Sequence, residues 1–519
     1  MALLPCIDYC DPIERIVSVY DLETENTHTM RDYLFSRKWP ALLAMALLLA
    51  GVYLAFPRDH AVHATPQTGT AGDWPTYMHN VGRNGYNKSE TLITSVSAPG
   101  LHEHWAAGPL PPEKAAGGYI FSQPVVSNGV VYWGSFDGYE HATNVADGSS
   151  VWQQPTYIGT TTNCAPVSPL GVVSSAAVAT VSINGIATTV VYVGGGDDNL
   201  YALNASTGAV LWHVLLGAPS SNTFIWDSPV VFNNHVYIGI ATTGEGIPGC
   251  TLVAGQFFEL DALTGSIQHT FNSVPAGCTG GGIWSSPTID TYDSSIYFTA
   301  GTQGNCSKDT VSIGIVKLST GNLALESSWQ IPLSERTTKD ADFAGTPVLF
   351  TAKLSDGITH KLVGAVDKNG FFYAFDRSSL SSGYIWRQQI SSAGACPQCG
   401  KGSISSAVWD GGKNLYVAGG ATTLLNGQVC GGSLQDLDPA TGNIIWQDCL
   451  PKTVLGALTL VPGVIALVDS PSLSLFNAKM AGPPLFTSSI DKFYGSPAIA
   501  NGVLYAGSKS GNLYAFWTQ

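Results

Sequence analysis

From about Asp73 onward, apolar residues fall in short runs, and each run gives way to a glycine-rich turn. The clearest unit is VVYVGGGDDNLYALNASTGAVLW, from Val190 to Trp212. It reads as a strand containing Val-Tyr, small residues, a second strand, an Asn-x-x-Thr-Gly turn and a strand that carries an aromatic residue. Runs of this length with β-branched and aromatic residues predict strands, and Asn, Asp and Gly at fixed offsets predict tight turns. Related copies are VVYWGSFDGYEHATNVADGSSVW (Val130 to Trp152), HVYIG with FFELDALTG (His235 to Gly265), and IYFTAG with VKLSTG (Ile296 to Gly321). KLVGAVDKNGFFYAFD, LYVAGG with LQDLDPATGNIIW, a degenerate VIALVDSPSLSLFNA, and LYAGSKSGNLYAFW follow.

Copies about forty to sixty-five residues apart, built of short strands and tight turns, match the blades of a β-propeller with four strands each. The expected architecture is therefore all-β, an eight-bladed propeller over 73–519. A helical solenoid has the wrong hydrophobic period. The final copy carries no outer strand of its own, and the segment from DWPTYMHNVGRNGYN through LHEHW precedes the first complete copy. That segment is expected to supply the missing outer strand and close the ring, which removes exposed sheet edges.

Ahead of the repeats, WPALLAMALLLAGVYLAF (Trp39 to Phe56) contains no charge and follows Arg37 and Lys38. It predicts one N-terminal transmembrane helix over 39–56, a cytoplasmic leader over 1–38, and a linker over 57–72. Val62-His63-Ala64 resembles a signal-peptidase site and leaves a secreted form open, although the long leader and long apolar run favour an uncleaved anchor. On either reading the propeller faces the periplasm or the cell exterior. Cys6 and Cys10 precede the anchor, and the eight cysteines beyond it are available for disulfides. Charged residues make up only 12% of the chain and the formal net charge is −14, with no basic cluster, which excludes a nucleic-acid surface.

The unit YALNASTGAVLW resembles the PQQ-type repeat of quinoprotein alcohol dehydrogenases and of outer-membrane assembly lipoproteins that use the same propeller as a scaffold. The resemblance covers nearly all of the chain beyond the linker and implies a fold, leaving function to the site. Four segments go further. IWSSPTIDTYDSSIYFTAGTQGNCS is similar to the dehydrogenase segment whose Trp stacks on the quinone and whose Asn coordinates calcium, which implies those roles for Trp284 and Asn305. KDADFAGTPVLF resembles the segment that carries the general base and aligns it with Asp342, which is also a possible calcium ligand. KLVGAVDKNGFFYAFDR resembles the segment that contacts the quinone, implying that role for Lys368 and the neighbouring Asn369. VYIGIATTGEGIPGC sets Glu245 at a calcium-ligand position.

The chemistry explains why these residue types occur together. Alcohol oxidation through an ortho-quinone needs a base for the hydroxyl proton and a Lewis acid at the carbonyl, and calcium prefers oxygen ligands. A flat cofactor needs an apolar floor, and a cation stabilises its reduced form. The implied protein is a PQQ- and calcium-dependent dehydrogenase most similar to the polyvinyl-alcohol dehydrogenase branch. Singly, each residue also fits an ordinary turn or packing role.

This chain departs from that family in several ways. It has no Arg between Arg83 and Arg336, where the dehydrogenases hold a cofactor carboxylate. Cys250 is followed by Thr251, so the adjacent cysteine pair is missing, and Ala341 stands where Trp is common. No Cys-x-x-Cys-His occurs, so electrons would leave to a separate acceptor such as a cytochrome or a quinone. Cys396-Pro397-Gln398-Cys399 predicts a local disulfide or pairing with cysteines such as Cys430 and Cys449. The rival reading is a non-catalytic propeller that binds protein or polysaccharide at the cell envelope.

Overall fold

The computed structural model describes residues 65–66, 72–108, 118–153, 156–162, 164, 169–217, 223–242, 252–306, 309–336 and 342–519. The leader, the predicted membrane segment and most of the linker lie outside the described residues. No described helix is long and apolar enough to cross a membrane.

Eight antiparallel sheets form the propeller, each built on four strands; two of them carry a fifth, two-residue strand (Thr65–Pro66 and Thr223–Phe224), and Thr422–Thr423 pairs with Val429–Cys430 as a separate hairpin. The innermost strands of blades 1 to 8 begin at Val125, Ala177, Val230, Thr288, Val348, Val408, Thr459 and Ala498. Strands deep in a blade are packed on both faces, so their runs are continuously apolar: Ser295–Ala300 and Val464–Asp469 are buried at every position. Strict alternation appears in the rim strand Val210–Leu215 and in the inner strand Val348–Lys353. Blade 8 takes its outer strand from His102–Ala107, which pairs antiparallel with Leu513–Trp517, so LHEHW closes the ring as the sequence predicts.

The repeat motif is a clasp between neighbouring blades. Trp152, on the outer strand of blade 1, donates from Nε1 to the Ala205 carbonyl in the turn of blade 2 at 2.9 Å. Gly208 of that turn has φ +70°, and a Cβ there would lie 2.8 Å from the Trp152 ring. The turn glycine is thus required both for its left-handed backbone and for its close approach to the indole. The same clasp recurs between Trp212 and the Ala262 carbonyl, and between Trp386 and the Pro439 carbonyl. The recurring Tyr joins it: Tyr192, Tyr237 and Tyr416 each donate to a turn carbonyl of the next blade.

Residues 73–87 do not extend the outer strand, as the sequence suggests, but run across the inner ends of the blades as a hub. Trp74 exchanges backbone hydrogen bonds with Val126, Pro75 accepts from Val178, Val81 from Ile289, Asn84 from Trp409 and Gly85 from Leu460. Asn87 Nδ2 reaches the Ile499 carbonyl of blade 8 at 3.1 Å. The innermost strands present unpaired backbone edges to the axis, and this segment satisfies them. Arg83 is fully buried there and donates to the carbonyls of Tyr77, Ser228, Pro229 and Pro287 and to Thr76 Oγ1. Burial lowers its pKa to about 10, still far above neutrality.

Above the hub, the blades are linked around the axis by a relay of hydroxyl groups. The backbone N–H of Gln123 donates to Ser175 Oγ (2.7 Å), that of Ser175 to Ser228 (3.0 Å), Ser228 to Ser286 (2.9 Å), Ser286 to Thr346 (3.2 Å) and Thr346 to Ser406 (3.0 Å). Ala457 N–H donates to Ser496 Oγ, and Gln123 Nε2 to the Pro497 carbonyl, which continues the circuit to blade 1. The hydroxyl relay runs from blade 1 to blade 6; Ala457 of blade 7 has no hydroxyl, and there the Leu458 N–H donates to the Ser406 carbonyl instead.

One core position breaks the pattern. Glu140 of blade 1 pairs with Gly134 as Leu200 of blade 2 pairs with Gly194, yet it is fully buried with neither carboxyl oxygen hydrogen-bonded. Burial, with Asp137 nearby, pushes its pKa well above the usual carboxylate range, so it is held neutral. Glu140→Leu should stabilise the fold by about 1–3 kcal/mol in denaturant titration, because it removes two unsatisfied polar atoms from an apolar site.

The same physics sets the pH response. Burial raises Asp198 to about 7, Asp436 to about 8 and Asp469 to about 6. Between the unfolded carboxyl value and these raised values the folded chain binds more protons, so stability falls as pH rises through that window. Unfolding free energy should therefore decrease steadily from about pH 5 to pH 8, and a flat profile would show that these carboxyls are paired.

Candidate functional site

The relay register identifies what faces the axis. Two residues before each relay position lie Phe121, Val173, Trp226, Trp284, Ala344, Ile404, Leu455 and Tyr494, one per blade. All except Ala344 are half-buried, as expected for side chains that ring an axial mouth. Trp284 is the blade 4 member of this ring.

Asp342 lies two residues before Ala344, the blade 5 member of the ring, and is buried. Its Oδ1 accepts from both the backbone N–H and Oγ1 of Thr302 at 2.6 Å, and its Oδ2 accepts from Lys368 Nζ at 2.6 Å. Lys368 occupies the tight turn Asp367–Gly370, and its own N–H donates to the Asp342 carbonyl, so backbone and side chain lock the pair together. The ammonium lies 5.4 Å from the Trp284 ring centroid. At Gly301 a Cβ would sit 2.9 Å from Asp342 Oδ1 and 3.1 Å from Trp284 Nε1, so any larger residue would fill the cradle between carboxylate and indole.

Trp284, Asp342 and Lys368 are therefore brought together by blades 4 and 5. Asn369 is not directed to them. Its Nδ2 donates to Tyr373 Oη and its Oδ1 accepts from Phe371 N–H, which spends the amide on the turn. Asn305 is exposed, and its Oδ1 accepts from Thr279 N–H beside the Cys278–Cys306 disulfide. Glu245 lies outside the described residues. Cys396 bonds to Cys399 and Cys430 to Cys449, and Cys164 is also disulfide-bonded.

Two residues that sequence reasoning passed over belong to the site. Thr302 orients the Asp342 carboxylate, and its only sequence signal is its place two residues past the end of the strand Ser295–Ala300, between Gly301 and Gly304. Asp367 is wholly buried behind Lys368, with Oδ1 bound by Asn369 N–H and Oδ2 without a partner. Burial and the nearby Asp342 push its pKa well above the usual range.

The donor set fits a flat quinone: an indole face, a cation beside it and a carboxylate within reach of the same cation. Among the described residues no group of three or more His, Cys, Asp or Glu side chains could hold a metal ion, and the implied calcium ligand Glu245 lies outside them.

Comparison with known proteins places these features in context. The family described as "Outer membrane protein assembly factor BamB" (PQQ_2) matches residues 141–448. The quinohemoprotein alcohol dehydrogenase ADH IIB of Pseudomonas putida is 24% identical over 376 residues, which are 64% of this chain and 49% of that protein. The polyvinylalcohol dehydrogenase of Pseudomonas sp is 23% identical over 310 residues, 51% of this chain and 46% of that one. The chain thus spans about half the length of the curated relatives it matches. Among solved structures, the quinohemoprotein alcohol dehydrogenase of Comamonas testosteroni superposes with a TM-score of 0.66 at 18% identity, covering 86% of this chain and 80% of that one. A europium-containing methanol dehydrogenase gives 0.66 at 15%, covering 86% and 98%. At such identities the superpositions speak to the fold.

Proposed function

Because this chain belongs to the PQQ_2 propeller family, we propose that its axial mouth is a quinone site and that the protein is an oxidoreductase oxidising an alcohol outside the cytoplasmic membrane. Alcohol dehydrogenases among its relatives support the reaction class. The observation that carries the reading is the convergence of the Trp284 face, the Lys368 ammonium and the Asp342 carboxylate on one side of the mouth.

When bound, PQQ supplies the carbonyl electrophile that takes two electrons from the alcohol. Asp342 accepts the hydroxyl proton at a carboxylate oxygen. Thr302 holds that carboxylate in one orientation through two hydrogen bonds, so no reorientation is needed as charge moves. Lys368 offers fixed positive charge beside the Trp284 face, and that charge stabilises negative charge developing on the acceptor. Trp284 gives the flat apolar surface on which a planar ring stacks. The two electrons then pass to a separate acceptor. No step is assigned to calcium, whose implied ligand Glu245 lies outside the described residues.

The test is to titrate the full chain with PQQ, follow quenching of indole fluorescence, and then assay dye-linked oxidation of primary, secondary and polymeric alcohols. Saturable quenching at one equivalent with alcohol-dependent dye reduction is expected. No saturable binding would sink the quinone reading and favour a propeller that acts as an envelope scaffold.

A further inference from the structure

Three disulfides of the propeller differ in what they hold. Cys278–Cys306 and Cys430–Cys449 join positions 28 and 19 residues apart, and Cys430 is only 4% exposed. Cys396–Cys399 spans a separation of 3. Closing so short a loop removes little freedom from the unfolded chain, so this bond contributes less to stability than the other two. Its surroundings differ as well: Cys399 alone is exposed among the described cysteines, while Cys396 is half-buried.

Backbone hydrogen bonds shape the segment that carries this pair, which runs from the blade 5 strand Trp386–Gln389 to the blade 6 strand Val408–Trp409. Ile390 and Ser391 N–H donate to the Gly370 carbonyl, and Gly394 N–H to the Lys368 carbonyl. On the blade 6 side, Ser392 N–H donates to the Ala421 carbonyl and Ala421 N–H to the Gly400 carbonyl, each at 2.7 Å. Cys399 N–H donates to the Cys396 carbonyl at 2.9 Å, and Pro397 between them is buried. This scaffold keeps the two cysteines adjacent whether or not their sulfurs are joined. Cys-x-x-Cys is also the spacing at which dithiols exchange, because either sulfur can reach the other without moving the chain.

We propose that Cys396–Cys399 is a site of thiol–disulfide exchange that takes two electrons from the dithiol of a partner protein, with Cys399 as the sulfur attacked. A thiolate of the partner approaches the exposed Cys399 Sγ. A bond forms between those sulfurs as the Cys396–Cys399 bond breaks, and the electron pair leaves on Cys396 Sγ, which takes a proton. The partner's second thiolate then attacks its own sulfur in the mixed disulfide. That closes the partner's disulfide and releases Cys399 as a thiolate, which takes the second proton. The half-buried Cys396 is the leaving group and stays within reach for reclosure. None of this depends on the quinone reading.

The test uses the folded full chain with dithiothreitol as the dithiol. Samples quenched in acid are alkylated with N-ethylmaleimide and mapped by peptide mass spectrometry while indole fluorescence is followed. Cys396 and Cys399 should become labelled at least about tenfold faster than the other two pairs, with the fluorescence unchanged. Labelling of all three pairs at one rate, or only together with the fluorescence change of unfolding, overturns the proposal and leaves a structural staple. This comparison is made on the unsubstituted chain and decides the exchange whether or not a variant folds. The sulfur attacked is assigned with C396S and C399S, each checked by thermal unfolding and each leaving one free thiol for 5,5′-dithiobis(2-nitrobenzoate). Cys399 in C396S should react about tenfold faster than Cys396 in C399S. Equal rates, or a faster Cys396, overturn the role given to Cys399.

Discussion

Arg83→Met should lower the unfolding free energy by roughly 3–5 kcal/mol, the largest effect of any single substitution considered for the fold. Arg83 is fully buried and satisfies four backbone carbonyls and one hydroxyl. Two of those carbonyls, on Ser228 and Pro229, belong to blade 3, and one, on Pro287, to blade 4. Methionine fills much of the same volume, so the loss isolates hydrogen bonding from packing. The carbonyls would be left without partners where water has no access. Asp227, buried nearby and already raised far above the carboxylate range by burial, would also lose the positive charge that moderates its shift. Urea unfolding followed by indole fluorescence measures the change. A loss under about 1 kcal/mol would mean that water replaces the guanidinium and that the hub is more open than its hydrogen bonds indicate.

Asp342→Asn should reduce alcohol turnover by about 10²- to 10⁴-fold while leaving PQQ affinity within a few-fold. Asparagine keeps the shape and can still accept from Thr302, so the cradle at Gly301 survives, but it cannot take a proton. Lys368 would then lose its ion-pair partner. Release of that cation towards the mouth is the reason affinity for an anionic cofactor should not fall. Steady-state dye-linked kinetics with saturating PQQ gives the comparison. Turnover within tenfold of the unsubstituted protein would remove Asp342 from the role of base and direct attention to another acceptor.

Much of this architecture is legible in the chain because its signals are local. Val-Tyr strands, Thr-Gly turns and outer-strand tryptophans recur at blade spacing, and the Trp152 to Gly208 contact shows that each motif element has a physical partner one blade away. The pairing of His102–Ala107 with blade 8 follows from simple counting of strands. Residues 73–87 are harder to interpret, since Trp74 finds its partner 49 residues away, Arg83 up to 204 and Asn87 412, and they carry no periodic signature. In the site, Asp342 and Lys368 are legible from the segments around them. Asn369 and Asn305 illustrate the limit, because asparagine in a turn is as readily consumed by neighbouring N–H groups as offered to a ligand. Thr302 becomes visible only once the blades are in register.

The hub and the closing strand have a consequence for the order of assembly. Asn87 binds the Ile499 carbonyl across 412 residues of sequence, and His102 accepts from Trp517 Nε1 across 415. Closing a loop of that length sets aside roughly 5 kcal/mol of chain entropy before either contact forms. Blades in the middle of the chain can meet their neighbours early, whereas blade 8 remains a three-stranded edge until His102–Ala107 reaches it. The slow step in making this protein should therefore be the return of its earliest propeller segment to its latest one, and until that moment the strand Leu513–Trp517 offers a bare edge to any other extended chain.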